Sequence, residues 1–287
     1  MREGRPYVAI RTIQRSGSRF YFHEDAPDTA YPGVTSVIGM LPKPFLAYWQ
    51  AKMVAELAVD SIDFVQQMVE RDREGAIGYL KGAANRYTKQ RASIGSHAHD
   101  LFERMIRGER IGRVHPDMEP YRRNFGEYLD AVQPELVRAE DVAWSDTHRY
   151  AGSFDGILRL RLGEDGRPDP QGEPALVMAD WKTSKSTYPE VALQMSAYAH
   201  ADVIIDSRGN REPMPEFDGA FVLHITDEQA SFKPVRIAEE NGLPDVFPFF
   251  LYLRETFEWD KSVSKTVLGD PIWSTGGAFE TGTQRRA

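Results

Sequence analysis

The spacing of apolar residues changes along the chain from the period of a β-strand to that of a helix. Residues 7–23 (YVAIRTIQ, a turn at RSGS, then RFYFH) predict a β-hairpin, which a Pro- and Asp-rich connector follows. From 35 to 137, apolar positions recur with helical spacing, with a break near Pro42 and a C-cap at Gly108. The last helix of this stretch is predicted at 116–137. The first half of the chain is therefore expected to be a hairpin and then helices.

After residue 137 the pattern returns to strands. Strands are predicted at 138–146, 150–162, 173–183, 218–226 and 230–237, and helices at 188–204 and 243–259. The turn-rich loop GEDGRPDPQG joins the second strand to the third, which favours an antiparallel pair. The whole pattern predicts an α/β fold with an N-terminal helical lobe. The predicted divisions are 1–34 (hairpin and connector), 35–137 (helical lobe), 138–259 (core) and 260–287 (a flexible tail).

Composition limits the kinds of chemistry that the chain can perform. Its 287 residues include no cysteine, which excludes disulfides, cysteine-bound zinc and an iron–sulfur cluster. No apolar run approaches the ~20 residues of a membrane span, and Met1–Tyr7 lacks the apolar region of a secretory signal. We therefore expect a cytoplasmic protein with no membrane partner and with any metal held by oxygen and nitrogen ligands.

The net charge of −8 argues against nucleic acid as a partner, but the charges are unevenly distributed. Residues 81–123 contain ten Lys and Arg against five acidic residues, so that this segment carries about +5. A local basic face on an acidic body can still bind phosphates, whereas solvated helix faces would give the same composition.

The residues best suited to chemistry lie near the ends of two predicted strands. Asp155 stands in the second strand, within GSFDG, and Asp180 and Lys182 end the third, within DWKTS. Asp180 and Lys182 are two apart on a strand and therefore share a face, with Trp181 pointing into the packing on the other side. A D-x-K triplet alone is more often a surface salt pair. Here an apolar run precedes it, so the charges stand at the edge of the core and need a partner or a metal.

These motifs, in this order, resemble the PD-(D/E)XK nuclease superfamily in its RecB-type and phage exonuclease branch. GSHAHDLFE (95–103) resembles the branch's histidine-bearing helix, and QMSAY (194–198) resembles its Q-x-x-x-Y motif. The family's Pro before the first acid is Phe154 here, and the four cysteines of its cluster-bearing members are absent. The resemblance therefore points to a cluster-free member with a restriction-endonuclease-like core, in which a mixed central sheet is flanked by helices.

The resemblance implies a role for each matching residue. Asp155, Asp180, His99 and the backbone carbonyl of Trp181 would hold Mg²⁺ or Mn²⁺, Glu140 would be an additional acid, and Lys182 would be the catalytic lysine. DNA contacts would come from Gln194, Tyr198, Thr183 and Lys185. Helical spacing places Glu103 on the same face as His99, in a supporting role, and turns His97 away. For Tyr198 the alternative is a core tyrosine with a satisfied hydroxyl.

The predicted function is metal-dependent hydrolysis of DNA phosphodiester bonds, as an exonuclease in phage-type recombination, replication or repair, acting on linear ends or single strands. The choice of exonuclease over endonuclease rests on the resemblance alone. A recombination protein is the expected protein partner. Two alternatives stay open: a catalytically silent nuclease fold that binds DNA or protein, and a metal-dependent hydrolase for a small phosphorylated substrate.

Overall fold

The N-terminal hairpin forms as predicted in the computed structural model, which describes residues 9–273 and 275. β1 (Ile10–Arg15) pairs antiparallel with β2 (Ser18–His23), and β3 (Tyr31–Pro32) adds to β2. The two turn residues, Ser16 and Gly17, have φ of 49° and 75°. Positive φ at both positions gives the turn the twist of the flanking strands, which makes it a tight two-residue connection. Residues 7 and 8 of the predicted hairpin lie outside the described residues.

Helices follow the hairpin, as the spacing predicts. They are α1 (Val34–Ile38), α2 (Phe45–Asp60), α3 (Ile62–Arg71), α4 (Arg73–Lys81), α5 (Ala83–Ile106) and α6 (Glu119–Val132), with a 3-10 turn at Pro116–Met118. The prediction that the last of these reaches residue 137 is wrong. Gln133 takes a left-handed conformation with φ of 48°, and Pro134 cannot donate the next helical hydrogen bond, so the helix ends. Among the described residues, no helix is long and apolar enough to cross a bilayer.

The second half of the chain forms two sheets. Its elements are β4 (Glu135–Ala139), β5 (Val142–Ser145), β6 (Tyr150–Ser153), β7 (Gly156–Leu162), β8 (Glu173–Lys182), α7 (Glu190–Ala199), β9 (Val203–Ile205), β10 (Arg211–Pro213), β11 (Gly219–Ile225), β12 (Ala230–Pro234) and α8 (Phe247–Lys261). The larger sheet has the order β12-β11-β8-β7-β4, and the smaller has β10-β9-β5-β6. The larger sheet is mixed, since β11 runs parallel to β8 while the other pairs are antiparallel.

Two predicted strands are each divided between the two sheets. The segment 138–146 breaks at Glu140 and Asp141 into β4 and β5, and 150–162 breaks at Phe154 and Asp155 into β6 and β7. β4 pairs with β7 in the larger sheet, whereas β5 pairs with β6 in the smaller one. Both segments therefore cross from one sheet to the other side by side. The predicted boundary at 137 falls inside β4, and Asp155 lies between strands rather than within one.

The larger sheet is packed on both faces, which confirms the predicted α/β class with a mixed sheet flanked by helices. On one face, Trp181 packs with Phe102 of α5 and Phe125 of α6. On the other, Met178 packs in one cluster with Met195 of α7 and Phe250 of α8. α1 joins this second cluster, while α2 and α3 contribute no buried residue. Of the predicted helical lobe, α1, α5 and α6 thus belong to the core of the sheet.

The elements near the C-terminus depart from the pattern in two places. The helix predicted at 188–204 ends at Ala199, and Val203–Ile205 form β9, which pairs with β5. The final helix extends to Lys261, and a 3-10 turn follows at Val263–Lys265. Much of the predicted tail at 260–287, namely 274 and 276–287, lies outside the described residues.

Candidate active site

The two crossings between the sheets bring two carboxylates together. Glu140 has a positive φ of 59°, and its N–H lies 3.4 Å from the carbonyl oxygen of Asp155. The N–H of Phe154 donates to the carbonyl of Asp141 at 3.2 Å. These bonds hold the two crossing segments against each other at the point where the regular ladder is interrupted. The predicted additional acid, Glu140, therefore lies beside the predicted first acid, Asp155.

Helix α5 brings the predicted histidine to the same place. The Nδ1 atom of His99 lies 3.4 Å from Oδ1 of Asp155, and the N–H of Trp181 donates to Oδ2 of the same carboxylate at 2.7 Å. His99, Glu140 and Asp155 each offer one ligand atom, and the three atoms lie within 4.8 Å of one another. They line a cleft of about 530 Å³. One imidazole and two carboxylates at this separation form a donor set that can hold a divalent cation.

The acids and the histidine shift one another's protonation. Partial burial of the Glu140 carboxyl, together with the neighbouring charges of Asp155 and Glu103, raises the pKa of Glu140 to about 7. The residue as a whole is exposed. Burial opposes protonation of His99, but the contact with Asp155 outweighs it and raises the pKa of His99. Burial likewise opposes the charge of Asp155, and His99 and Lys182 outweigh it, so that the pKa of Asp155 is lowered. A cation at this site would compete with protons on Glu140 and His99.

Asp180 and Lys182 form a second group next to these three donors. The Nζ atom of Lys182 lies 2.5 Å from Oδ2 of Asp180, and Gln194 of α7 donates to Oδ1 of Asp180 at 3.0 Å. Lys182 also donates to the amide oxygen of Gln194 at 3.3 Å. Burial and the charge of Asp155 raise the pKa of Asp180, which Lys182 opposes. Oδ1 of Asp180 is thus hydrogen-bonded to Gln194, whereas the buried Oδ2 contacts Lys182 as an ion pair and has no hydrogen-bond partner among the described residues. Asp180 lies outside the three-donor cluster, and its role as a metal ligand stays a prediction.

Trp181 separates these two groups. Its side chain is fully buried against α5 and α6, as the strand alternation predicts. Its N–H points toward Asp155. In an extended strand the N–H and C=O of one residue point to the same side, so the carbonyl of Trp181 is directed to the edge of β8 that carries Asp155. This is the orientation that the predicted carbonyl ligand requires.

The residues after β8 form a loop that side chains of neighbouring elements hold in place. Arg91 of α5 donates to the carbonyl of Thr183 at 3.3 Å, and Nε2 of His224 donates to the carbonyl of Ser184 at 2.6 Å. Lys185 is exposed on this loop. The predicted DNA contacts Thr183 and Lys185 therefore lie on a loop held in place next to the Asp180–Lys182 triplet.

Tyr198 lies in the core, in keeping with the alternative reading. It is 2% exposed, and its hydroxyl accepts a hydrogen bond from Gln194 at 3.3 Å. A Cβ on Gly152 would approach the Tyr198 ring to 2.7 Å, so this glycine allows β6 to pack on α7. The ring has almost no access to solvent in this conformation, and its contact with DNA stays a prediction. Tyr198 supports Gln194.

Glu103 occupies a supporting position next to the donors. Its Oε1 accepts hydrogen bonds from Nε and Nη2 of Arg107 at 2.9 and 2.8 Å, and Arg107 also donates to the carbonyl of Ala139 at 3.3 Å. This chain ties α5 to the end of β4, directly before Glu140. His97 is exposed and stands outside the donor cluster, as the helical spacing predicts.

The sequence-based set of site residues omits a basic residue of the cleft. Arg19 of β2 lines the same cleft as His99 and Asp155. The hairpin pattern placed it on an ordinary strand, and no motif distinguishes it from other surface arginines. By contrast, several arginines of segment 81–123 are paired with acids of the same region, namely Arg104, Arg107 and Arg122.

Comparison with known proteins adds no identification to this geometry. None of the protein-family models searched matches the chain, and none of the curated proteins searched matches it either.

Proposed function

We propose that this chain is a divalent-metal-dependent DNA nuclease of the PD-(D/E)XK type, related to RecB-type and phage exonucleases. The observation that carries the proposal is the convergence of His99, Glu140 and Asp155 beside an ion pair between the buried Asp180 and the partly exposed Lys182. Three separate elements contribute the donors, and the strand end carries the D-x-K triplet. A structural salt pair on a strand end does not require a histidine and two further carboxylates around it.

The donor set fits the ion that the family uses. The donors on offer are carboxylate oxygens, one imidazole nitrogen and a backbone carbonyl, with no thiolate. Carboxylates suit Mg²⁺ and Mn²⁺, and the imidazole favours the softer Mn²⁺ of the two. His99, Glu140 and Asp155 would hold the ion, with the carbonyl of Trp181 at the same edge. Bound there, the ion would lower the pKa of a water and neutralise charge on the scissile phosphate.

The remaining residues would position and stabilise the reacting groups. Lys182 carries its ammonium at the rim of the donor cluster, where Asp180 and Gln194 fix its direction. A cation in that place stabilises the charge that develops on the phosphoryl oxygens as water adds to phosphorus and the 3′ or 5′ oxygen leaves. Thr183 and Lys185 on the loop after β8 would contact the neighbouring backbone phosphates.

The test is single-turnover cleavage of linear DNA with Mg²⁺ or Mn²⁺, compared with binding of the same DNA in Ca²⁺. Lys182→Ala should lower cleavage about a hundredfold or more, the scale of one lost transition-state contact, while binding weakens only a few-fold. The matched control is Lys52→Ala on α2, whose ammonium pairs with Glu56 of the same helix; it should cleave at the parental rate.

Two results would overturn the proposal. Cleavage by Lys182→Ala at the parental rate would remove the catalytic role of the triplet. If the parent protein bound linear, nicked or circular DNA and cut none of them with either metal, the catalytically silent binding module would be the better account. Cleavage of linear but not circular DNA would support the exonuclease assignment, and a pull-down with a recombination protein would test that partner.

A further inference from the structure

A basic groove lies between the N-terminal hairpin and the last helix. It consists of two adjoining clefts of about 450 and 560 Å³ between the β1–β2 turn and the C-terminal end of α8. Ser16 and Lys261 line both clefts, which makes them one continuous surface. We call this surface the hairpin groove. Its charged lining residues are Arg15, Arg19, Arg149, Arg254, Glu258, Asp260, Lys261 and Lys265.

The hairpin groove is continuous with the candidate active site. Arg19 lines both the cleft that holds His99 and Asp155 and the nearer of the two groove clefts. The backbone N–H of Arg19 donates to Oγ of Ser36 at 2.8 Å, which ties β2 to α1 at this point. A linear ligand leaving the site past Arg19 would therefore enter the groove.

The charge of the groove is opposite to that of the molecule. Six basic side chains and two acidic ones line it, in a chain whose net charge is −8. The two acids are engaged: Glu258 pairs with the nearly buried Arg254, and Asp260 with Lys261. The side chains of Arg15, Arg19, Arg149 and Lys265 have no hydrogen-bond or ion-pair partner among residues 9–273. Their charges are available to a ligand: Arg15, Arg149 and Lys265 line one cleft, and Arg19 lines the other.

We propose that the hairpin groove binds the sugar–phosphate backbone of the DNA strand that enters the active site. Several free cations along an open path match a polyanion with repeated phosphates better than a single small anion. The inference rests on the proposed nuclease function and deepens it, since it assigns the extended DNA contact to the N-terminal hairpin and to α8. The helical segment 81–123, the basic region most evident from the sequence, then plays a smaller part.

The test compares two double variants with the same change in net charge. Arg15→Gln with Lys265→Gln removes two free cations of the groove. Arg161→Gln with Arg167→Gln is the control, since Arg161 on β7 and Arg167 in the following loop lie at the end of the sheet far from Lys182. Binding of fluorescent single-stranded and double-stranded DNA is measured by anisotropy in Ca²⁺ at a series of salt concentrations.

The groove variant should bind about tenfold more weakly than the parent. Its plot of log K against log salt should be shallower by about 1.4 on single strands or about 1.8 on duplex, the change for two lost phosphate contacts. The control should follow the parental line. If the parent binds and cleaves DNA and the groove variant has the parental affinity and salt slope, the groove proposal is wrong and the nuclease proposal stands. A parent that neither binds nor cleaves DNA would overturn both.

Discussion

The backbone of Glu140 has a positive φ of 59°, a conformation that costs a residue with a side chain of order 1–3 kcal/mol. Glu140 keeps it where the chain leaves one sheet for the other, beside Asp155. Strained backbone of this kind persists where the surrounding structure over-determines it, and it is common at functional sites. The strain therefore supports the placement of Glu140 in the candidate site.

For individual residues, the sequence predicts side-chain directions correctly but does not predict burial. Alternation along β8 correctly puts Asp180 and Lys182 on one face and Trp181 on the other. Helical spacing correctly separates His99 from His97. Helical spacing does not predict that Tyr198 is buried, because the ring packs against Gly152, which is distant in sequence. Arg19 is missed for the same reason, because only the fold places it in the cleft with His99 and Asp155.

The first prediction concerns the pH dependence of metal binding. Since the pKa of Glu140 is about 7 and that of His99 is raised, both groups hold protons below neutrality that a cation must displace. The affinity for Mn²⁺, measured by calorimetry, should therefore rise between pH 6 and pH 8. Below the pKa it should change by about tenfold per pH unit for each displaced proton.

Glu140→Gln provides the comparison. The glutamine cannot titrate, so its affinity should depend less steeply on pH than that of the parent. A parental affinity that is constant between pH 6 and pH 8 would contradict the assignment of Glu140 and His99 as ligands.

Elements with a clear period are predictable here, and elements that break their period are not. The β1–β2 hairpin, the long α5 and the β7–β8 pair appear where the pattern puts them. The alternation does not predict that 138–146 and 150–162 are each split, although charged residues stand at both crossings, Glu140 and Asp141 in the first and Asp155 in the second. What divides them is tertiary: each half pairs with a different neighbour, and pairing is not encoded in the alternation of one strand.

The second prediction tests how α5, which carries His99, is terminated. Gly108 follows its C-cap with φ of 72°, and its Cβ position is open space. Gly108→Ala should therefore destabilise the protein by about 1 kcal/mol, through backbone strain and not through a clash. Gly78 within α4 has equally open space and no positive φ. Gly78→Ala should stabilise by roughly 0.5–1 kcal/mol.

The measurement is the free energy of unfolding from urea titrations of the two variants and the parent. The free energy of unfolding should fall in Gly108→Ala and rise in Gly78→Ala, although both variants replace glycine with alanine. A Gly108→Ala protein as stable as Gly78→Ala would mean that α5 does not end in the left-handed conformation described.

For the whole molecule, the order of elements predicts an α/β chain with a mixed sheet, but the division into lobes is not predictable. α1, α5 and α6 read as parts of a helical lobe, yet they cover the two faces of the larger sheet. Their apolar faces look alike whether they pack on other helices or on a sheet, so spacing alone cannot choose the partner. The contacts that decide it join residues far apart in sequence.

The third prediction is the effect of the ion on the stability of the whole chain. At a Mn²⁺ concentration about 100 times its Kd, binding to the folded state should add about 2.7 kcal/mol, which for a chain of this size raises Tm by about 5 °C or more. Asp155→Asn should lose most of that rise, because it removes one charged donor next to His99.

Asp165→Asn is the matched control, since this exposed acid lies in the loop between β7 and β8. It should keep the parental rise in Tm. An equal rise for Asp155→Asn, measured by differential scanning calorimetry, would place the bound ion elsewhere on the surface.

The bond from the Trp181 N–H to Asp155 has a consequence for the timing of events during synthesis. A nascent chain that has emerged as far as Asp155 already contains His99, Glu140 and Asp155, but β8 is still inside the ribosome. Pairing between distant segments forms late because the loop between them must be closed first. The three donors are therefore held in position only after β8 has been synthesised and has paired with β7. An incomplete chain that ends before β8 therefore lacks the positioned donor cluster.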